Sequence, residues 1–195
     1  MSSKTAPYEY AFIGMGCANS LLLLALHRAG LLQKGQIVVY EPEQKVQNDR
    51  TFCFWLEPEK LNAYQLDTLV SFETTNTKSN LELIDFVEKF LVQFEFRVTR
   101  LHAPCGTKAG IYAEIGPAIE GGLLLSAHSD VVTVEGQKWT YPPFKLTTAG
   151  DRYYGRGTTD MKGFLASMLA LASRINDKKL SKPLALLISY DEEIG

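Results

Sequence analysis

The chain has 195 residues, a formal net charge of −2 and 22% charged residues, which is ordinary for a globular domain with a packed core. Nucleic acids and anionic membranes select basic surfaces, so this charge balance argues against both as partners. The three cysteines, Cys17, Cys53 and Cys105, are too widely spaced for a disulfide framework or a cysteine zinc site.

The start of the chain carries no export or membrane signal. It lacks the charged-then-apolar layout of a signal peptide, and the apolar run 21–26 is too short to span a bilayer. We therefore expect a cytoplasmic protein without a membrane span.

Residues 1–62 predict a Rossmann-like βαβ fragment. The strand "YEYAFIG" is followed by a glycine turn, an apolar helix and a second strand, "GQIVVYEPE". Gly14 and Gly16 have the spacing that lets a backbone approach a pyrophosphate at a helix N-terminus, and Glu41 can accept hydrogen bonds from a ribose 2′-hydroxyl. Asn19 occupies the third glycine position of that pattern, and a βα turn that needs glycines but binds no ligand is the alternative.

This first segment resembles the N-terminal part of the lycopene cyclase family, flavin-dependent enzymes of carotenoid synthesis. The resemblance rests on the "GMGCA" turn, on Glu41 and Pro42, and on the block "NDRTFCFW" at 48–55. It implies that Gly14, Gly16 and Glu41 contact FAD. It does not extend beyond this segment, so most of a cyclase would be absent.

From residue 63 the pattern indicates a second α/β unit, 63–195. "LDTLVSF" and "LELIDFVEKFLVQF" predict two helices, the second of them capped by Ser79 or Asn80. "FEFRVTRL", "AGIYAEIG" and "GGLLLSAHSD" predict strands, and a stretch rich in Pro, Gly and Tyr predicts a loop. "FLASMLALASRI" then predicts a helix and "PLALLISY" a buried strand, an alternation typical of α/β domains.

An imidazole and several carboxylates stand at the ends of elements in this second unit. They are His128 and Asp130 after one strand, Asp160 in a glycine-rich turn before a helix, and Asp191, Glu192 and Glu193 after another strand. Ends of buried strands converge on one edge of a sheet, where α/β proteins place their active sites. Nitrogen and oxygen ligands together suit zinc or a similar divalent ion.

Each of these groups also has an ordinary structural explanation. His128 taken alone resembles a satisfied structural histidine, and Asp160 could cap the following helix. Glu192 and Glu193 could be solvated charges beyond a strand. The other two histidines, in contrast, have no such setting and are expected to be structural.

The second unit resembles the M20 family of zinc-dependent amidohydrolases, and within it the acetylornithine deacetylases. The resemblance begins near residue 64 and rests on seven motifs: "LVSFETT", "SNLELIDFVE", "HSDVV", "GQKW", "PPFKLT", "GRGTTDMKG" and "DEEIG". It implies a partial α/β/α zinc hydrolase catalytic domain. It also implies hydrolysis of the acetyl amide of N-acetyl-L-ornithine, a small N-acetylated amino acid, in arginine biosynthesis.

The resemblance further implies a role for each polar residue. His128 would bind one metal, Asp160 would bridge two, and Glu193 would bind the other, with Zn2+ or Co2+ as the ions. Glu192 would be the general base that takes a proton from the attacking water. Asp130 would hydrogen-bond the second ring nitrogen of His128 and set its tautomer.

The resemblance also implies parts that residues 1–195 do not contain. These are a further acidic ligand, a distant histidine and an inserted lid domain that helps to form the dimer and to close over the substrate. Three hypotheses follow: a deacetylase impaired by truncation, a lycopene cyclase-type flavoprotein, and a non-catalytic chimera of two incomplete enzymes.

Overall fold

The computed structural model describes residues 10–13, 37–40, 63–150, 152–175 and 180–194. These ranges contain eight strands: β1 (Tyr10–Ile13), β2 (Ile37–Tyr40), β3 (Arg97–His102), β4 (Ala109–Ile115), β5 (Leu123–His128), β6 (Thr147–Ala149), β7 (Arg152–Tyr154) and β8 (Leu184–Ser189). The same ranges contain three α-helices, α1 (Ala63–Ser71), α2 (Leu81–Gln93) and α3 (Lys162–Ala172), and a 3₁₀ turn covers Glu192–Ile194. No helix in these ranges is both long and apolar enough to cross a membrane.

The two strands predicted near the N-terminus are present as a parallel pair. Tyr10 of β1 lies opposite Ile37 of β2, and the register continues to Ile13 opposite Tyr40. The predicted glycine turn and helix, and with them Gly14, Gly16 and Glu41, lie outside the described residues. The Rossmann-like fragment and its FAD site therefore stay predictions.

The main sheet has four strands in the order β3-β4-β8-β5. Strand β8 is central: it runs antiparallel to β4 and parallel to β5. Its burial alternates, with Leu184, Leu186 and Ile188 in the core, as expected for a strand with one face against helices. The sheet confirms the α/β class predicted from the alternating elements.

The helices pack on this sheet through one continuous core. Helix α2 buries Leu83, Ile84, Val87 and Leu91, a spacing that places them on one helical stripe. Helix α3 is apolar nearly throughout, which suits its position between α1, α2 and the sheet. Helix α3 contacts both other helices, and buried residues of all three helices share one core with the sheet. The partial α/β/α arrangement expected from the resemblance stays a prediction.

A short antiparallel hairpin, β6 and β7, occupies part of the stretch predicted to be a loop. Its turn includes Gly150, whose φ of +61° lies in the left-handed region that glycine adopts without strain. The hairpin leads directly into the glycine-rich segment that carries Asp160.

The buried side chain of Asn80 joins the start of helix α2 to strand β4 and to the residue that follows β5. Its Nδ2 donates to the carbonyl oxygen of Ala109 at 2.8 Å and to Oγ of Ser129 at 2.9 Å, and its Oδ1 accepts from the Ala109 amide at 2.9 Å. Asn80 holds the N-cap position, as predicted, but its side chain makes no capping bond to the helix. Ser79, the other predicted cap, accepts a hydrogen bond from the Leu81 amide at its Oγ at 3.2 Å, so the Asn80 side chain is left to its tertiary partners.

We expect Asn80→Ala to lower the free energy of unfolding by about 2–4 kcal/mol, because it leaves buried polar groups of Ala109 and Ser129 without their partner. Denaturant unfolding followed by circular dichroism measures the change. Asn76→Ala, at an exposed position of the preceding loop, is the matched control and should change stability little. Equal effects of the two substitutions would contradict the role assigned to Asn80.

Candidate metal centre

The parallel pairing of β5 and β8 places two chemically active segments at one edge of the sheet. His128, the last residue of β5, lies opposite Ser189, the last residue of β8. Asp130 follows the first strand, and the 3₁₀ turn Glu192–Ile194 follows the second. The predicted convergence of these strand ends is therefore confirmed.

The His128 ring is buried, and acidic residues face both of its nitrogens. Nε2 lies 3.0 Å from Oδ1 of Asp160 and 3.7 Å from Oε2 of Glu192. Nδ1 lies 3.0 Å from the backbone carbonyl oxygen of Asp130 and 3.5 Å from its carboxylate Oδ1. Asp130 thus faces the second ring nitrogen, as predicted, but the shorter contact is made by its backbone carbonyl rather than by its carboxylate.

Asp160 reaches this ring from the glycine-rich turn before α3. Gly157 in that turn has a φ of +81°, and a Cβ there would lie 2.8 Å from Val131 Cγ1, so only glycine fits without a shift. The helix begins at Lys162 with Met161 at the N-cap position. The alternative that Asp160 caps this helix is therefore wrong, since its carboxylate contacts His128 instead.

The two glutamates after β8 also belong to this cluster. The Glu193 amide donates to Oδ2 of Asp130 at 2.9 Å. One ligand atom each from His128, Asp160 and Glu193 lie within 4.8 Å of one another. The Glu192 side chain is only 18% exposed, so neither glutamate is a freely solvated charge beyond the strand.

Asp191, the third carboxylate of this segment, is directed elsewhere. Its Oδ1 contacts Nζ of Lys108, which lies just before β4. The sequence grouped Asp191 with the two glutamates, but the structure places its carboxylate in an ion pair at the edge of the site.

Burial and charge oppose each other in this cluster. Burial alone would lower the pKa of His128, but contacts with the carboxylates of Asp130 and Asp160 raise it to about 10. The contact with His128 lowers the pKa of Asp160. Burial, with the nearby charge of Asp160, raises the pKa of Glu193. The site therefore holds more negative charge than the single imidazolium can balance.

The residues present fit a divalent cation. One imidazole nitrogen and two carboxylate oxygens form a donor set that zinc accepts, and a cation between them would relieve the repulsion among the carboxylates. The buried Oδ1 of Asp130 has no hydrogen-bond partner within the part of the chain that the structure describes. Its position beside Nδ1 suits a group that orients a ligating histidine.

Two supporting residues, Thr74 and Lys162, were not singled out from the sequence. Thr74 Oγ1 donates to the Ser129 carbonyl oxygen at 2.6 Å, and the Thr74 carbonyl oxygen accepts from the Val131 amide at 3.0 Å. Lys162 is fully buried and donates from Nζ to the Phe72 carbonyl oxygen at 2.5 Å, and burial lowers its pKa to about 7. No local pattern marks these residues, because their partners lie far away in the sequence.

Known proteins are similar to the part of the chain that carries this site. The sequence model of peptidase family M20/M25/M40 matches residues 124–195. An acetylornithine deacetylase of Buchnera aphidicola is 40% identical over 129 residues, which are 66% of this chain and 34% of the relative. An acetylornithine deacetylase of Aliivibrio fischeri is 49% identical over 86 residues, or 44% of this chain and 22% of the relative.

Solved structures agree with the sequence matches. An M20 family metallo-carboxypeptidase of Sulfolobus solfataricus superposes with a TM-score of 0.60 at 25% identity, covering 71% of this chain and 32% of that one. Human carnosine dipeptidase 1 gives a TM-score of 0.56 at 22% identity over 65% of this chain and 31% of its own, which shows a shared fold.

These matches give no support to the lycopene cyclase-like interpretation of residues 1–62. The chain spans about a third of the length of the first curated relatives it matches. Over its C-terminal part, from residue 124 to residue 195, the chain matches the M20/M25/M40 peptidase family, and it has acetylornithine deacetylases as homologues.

Proposed function

We propose that this chain carries part of the active site of a metal-dependent amide hydrolase that removes the acetyl group from an N-acetylated amino acid. The observation that carries the proposal is the convergence of His128, Asp160 and Glu193 from three separate segments. The acetylornithine deacetylase relatives support acetylornithine as the substrate, and arginine biosynthesis would then be its setting.

In this proposal His128, Asp160 and Glu193 hold a divalent ion, zinc or cobalt. Such an ion, when bound, polarises an amide carbonyl and makes water more acidic. The bridging role of Asp160 between two ions remains part of the proposal and rests on the family resemblance. Its exposed carboxylate, with one oxygen already at His128, is placed to offer a second ligand atom.

Glu192 is the proposed general base. Its side chain is mostly buried and its Oε2 lies 3.7 Å from Nε2 of His128, so the carboxylate borders the cluster without being one of its three grouped ligands. A carboxylate in this position can accept a proton from water and pass it to the leaving amine.

Asp130 is proposed to act through its neighbours. Its backbone carbonyl oxygen and its Oδ1 face Nδ1 of His128. Its Oδ2 accepts a hydrogen bond from the Glu193 amide. It therefore fixes the orientation of two proposed ligands at once.

We expect the wild-type chain to bind zinc and the double variant His128→Ala, Asp160→Ala to bind none above background, because two of the three ligands are gone. Isothermal titration calorimetry, with metal analysis of the purified protein, measures both. His102→Ala is the matched control, since this exposed histidine lies at the end of β3 and should leave binding unchanged.

Two outcomes would contradict the metal site. One is a wild type that binds no zinc, which would leave the three motifs without a metal function. The other is a double variant that binds as tightly as the wild type, which would place the ion elsewhere.

We expect the zinc-loaded chain to release acetate from N-acetyl-L-ornithine, and Glu192→Gln to lower the rate by roughly 10²–10⁴-fold while zinc affinity is retained, because the amide cannot accept the proton. An enzymatic acetate assay and calorimetry on the same samples measure the two quantities. Glu120→Gln, at an exposed position before β5, is the control. Zinc binding without any acetate release would leave the metal site standing and would mean that this part of the site does not hydrolyse the amide by itself. Acetate release that Glu192→Gln leaves unchanged would contradict the role of Glu192 as general base.

A further inference from the structure

The ion pair between Lys108 and Asp191 lies where the sheet register predicts it. Ile111 of β4 is opposite Ile188 of β8, and the strands are antiparallel. Extending this register by three residues along each strand brings Lys108 opposite Asp191. The pair therefore lies just beyond the start of β4 and the end of β8, next to the candidate metal centre.

Lys108 makes two contacts that tie separate segments together. Its Nζ contacts Asp191 Oδ1 and donates to the carbonyl oxygen of Asn76 at 2.7 Å. The Lys108 side chain is 12% exposed, compared with 52% for Lys78 in its ion pair with Glu73. An ion pair shielded from water and locked by a further hydrogen bond restrains its partners more than an exposed pair does.

Asp191 is the point at which the chain turns from β8 into the segment with the two glutamates. Its φ is +60°, in the left-handed region that is uncommon for residues other than glycine. Aspartate is among the residues that tolerate this region best, but the conformation still has to be maintained by its surroundings. The Lys108 contact is the restraint on the Asp191 side chain that the structure shows.

The next contact along the chain reaches the metal centre. Two residues after Asp191, the amide of Glu193 donates to Oδ2 of Asp130 at 2.9 Å. Lys108 thus contacts the residue that precedes the 3₁₀ turn Glu192–Ile194, and Asp130 accepts a hydrogen bond from the middle residue of the turn. Releasing the first restraint would let the turn, with both glutamate side chains, move away from His128.

We propose that Lys108 and Asp191 are positioning residues. Their ion pair holds Asp191 in its left-handed backbone conformation, so that Glu192 and Glu193 face His128. Neither side chain belongs to the His128, Asp160 and Glu193 cluster, so the pair acts through the backbone of the turn. The consequence for catalysis rests on the proposed function, but the effect on the turn does not depend on it.

The test compares Lys108→Met with Lys78→Met, which breaks the exposed ion pair to Glu73. Amide hydrogen exchange by NMR, on metal-free protein, reports the Glu193 amide directly. We expect Lys108→Met to raise its exchange rate tenfold or more relative to amides in the middle of β8, and Lys78→Met to leave it unchanged. We also expect zinc affinity to fall by roughly 10–100-fold in Lys108→Met only.

Asp191→Asn provides a second variant that keeps a short polar side chain suited to the left-handed conformation. It should reproduce the faster exchange of Glu193, and combining it with Lys108→Met should add little, because both substitutions remove the same interaction. If Lys108→Met does not fold, the exchange rate of the Glu193 amide in Asp191→Asn tests whether the ion pair holds the turn.

Unchanged exchange at Glu193 in both folded variants would overturn the proposal. A wild type that binds no zinc would refute the metal site, but the exchange rates would still decide whether the ion pair holds the turn. Faster exchange with unchanged zinc affinity would overturn the claim that the pair places the glutamates at His128.

Discussion

The candidate metal centre depends on the parallel pairing of β5 with β8. This register brings His128 and Ser189 to the same edge of the sheet, although they lie far apart in the sequence. In an antiparallel arrangement the segment after β8 would leave from the opposite edge, and neither Glu192 nor Glu193 could approach His128. The position of β8 between β4 and β5 also gives the turn a second neighbour, Lys108.

A buried polar network holds this edge in place. Asn80 joins the start of α2 to Ala109 and Ser129, and Ser129 in turn bonds the Ser189 carbonyl oxygen with both its amide and its hydroxyl. Thr74 binds the segment after β5 through two hydrogen bonds, one to the Ser129 carbonyl oxygen and one from the Val131 amide. Each of these bonds satisfies a group that would be costly to bury alone, so the network also rigidifies the segment that carries the proposed ligands.

The electrostatics of the cluster favour the binding of a cation. Four carboxylates, from Asp130, Asp160, Glu192 and Glu193, surround one buried histidine. Burial, with the nearby charge of Asp160, raises the pKa of Glu193. The carboxylates of Asp130 and Asp160 raise the pKa of His128 against the opposing effect of burial. Structural ion-pair networks can produce similar shifts, but the match of this region to the M20/M25/M40 peptidase family favours a functional site.

The sequence by itself determined the order of the helices and strands and the choice of the chemical groups. Alternating apolar runs predicted β3 to β5, β8 and the three helices of the described residues, and the ends of these elements marked His128, Asp160 and the two glutamates as partners. These features are local, because hydrophobic periodicity and turn residues act over a few neighbours. The β6–β7 hairpin was not predicted, since its strands are short and lie in a stretch rich in turn residues.

Only the tertiary structure decided which of these groups meet and what holds them there. Asn80 bonds Ala109 and Ser129 instead of capping its helix. Asp160 contacts His128 instead of capping α3, and Asp191 pairs with Lys108 instead of joining the glutamates. Burial of Lys162 was equally invisible in the sequence. In each case the deciding partner comes from a distant segment, and strand register and burial, which depend on the whole fold, outweigh the local preference of the residue.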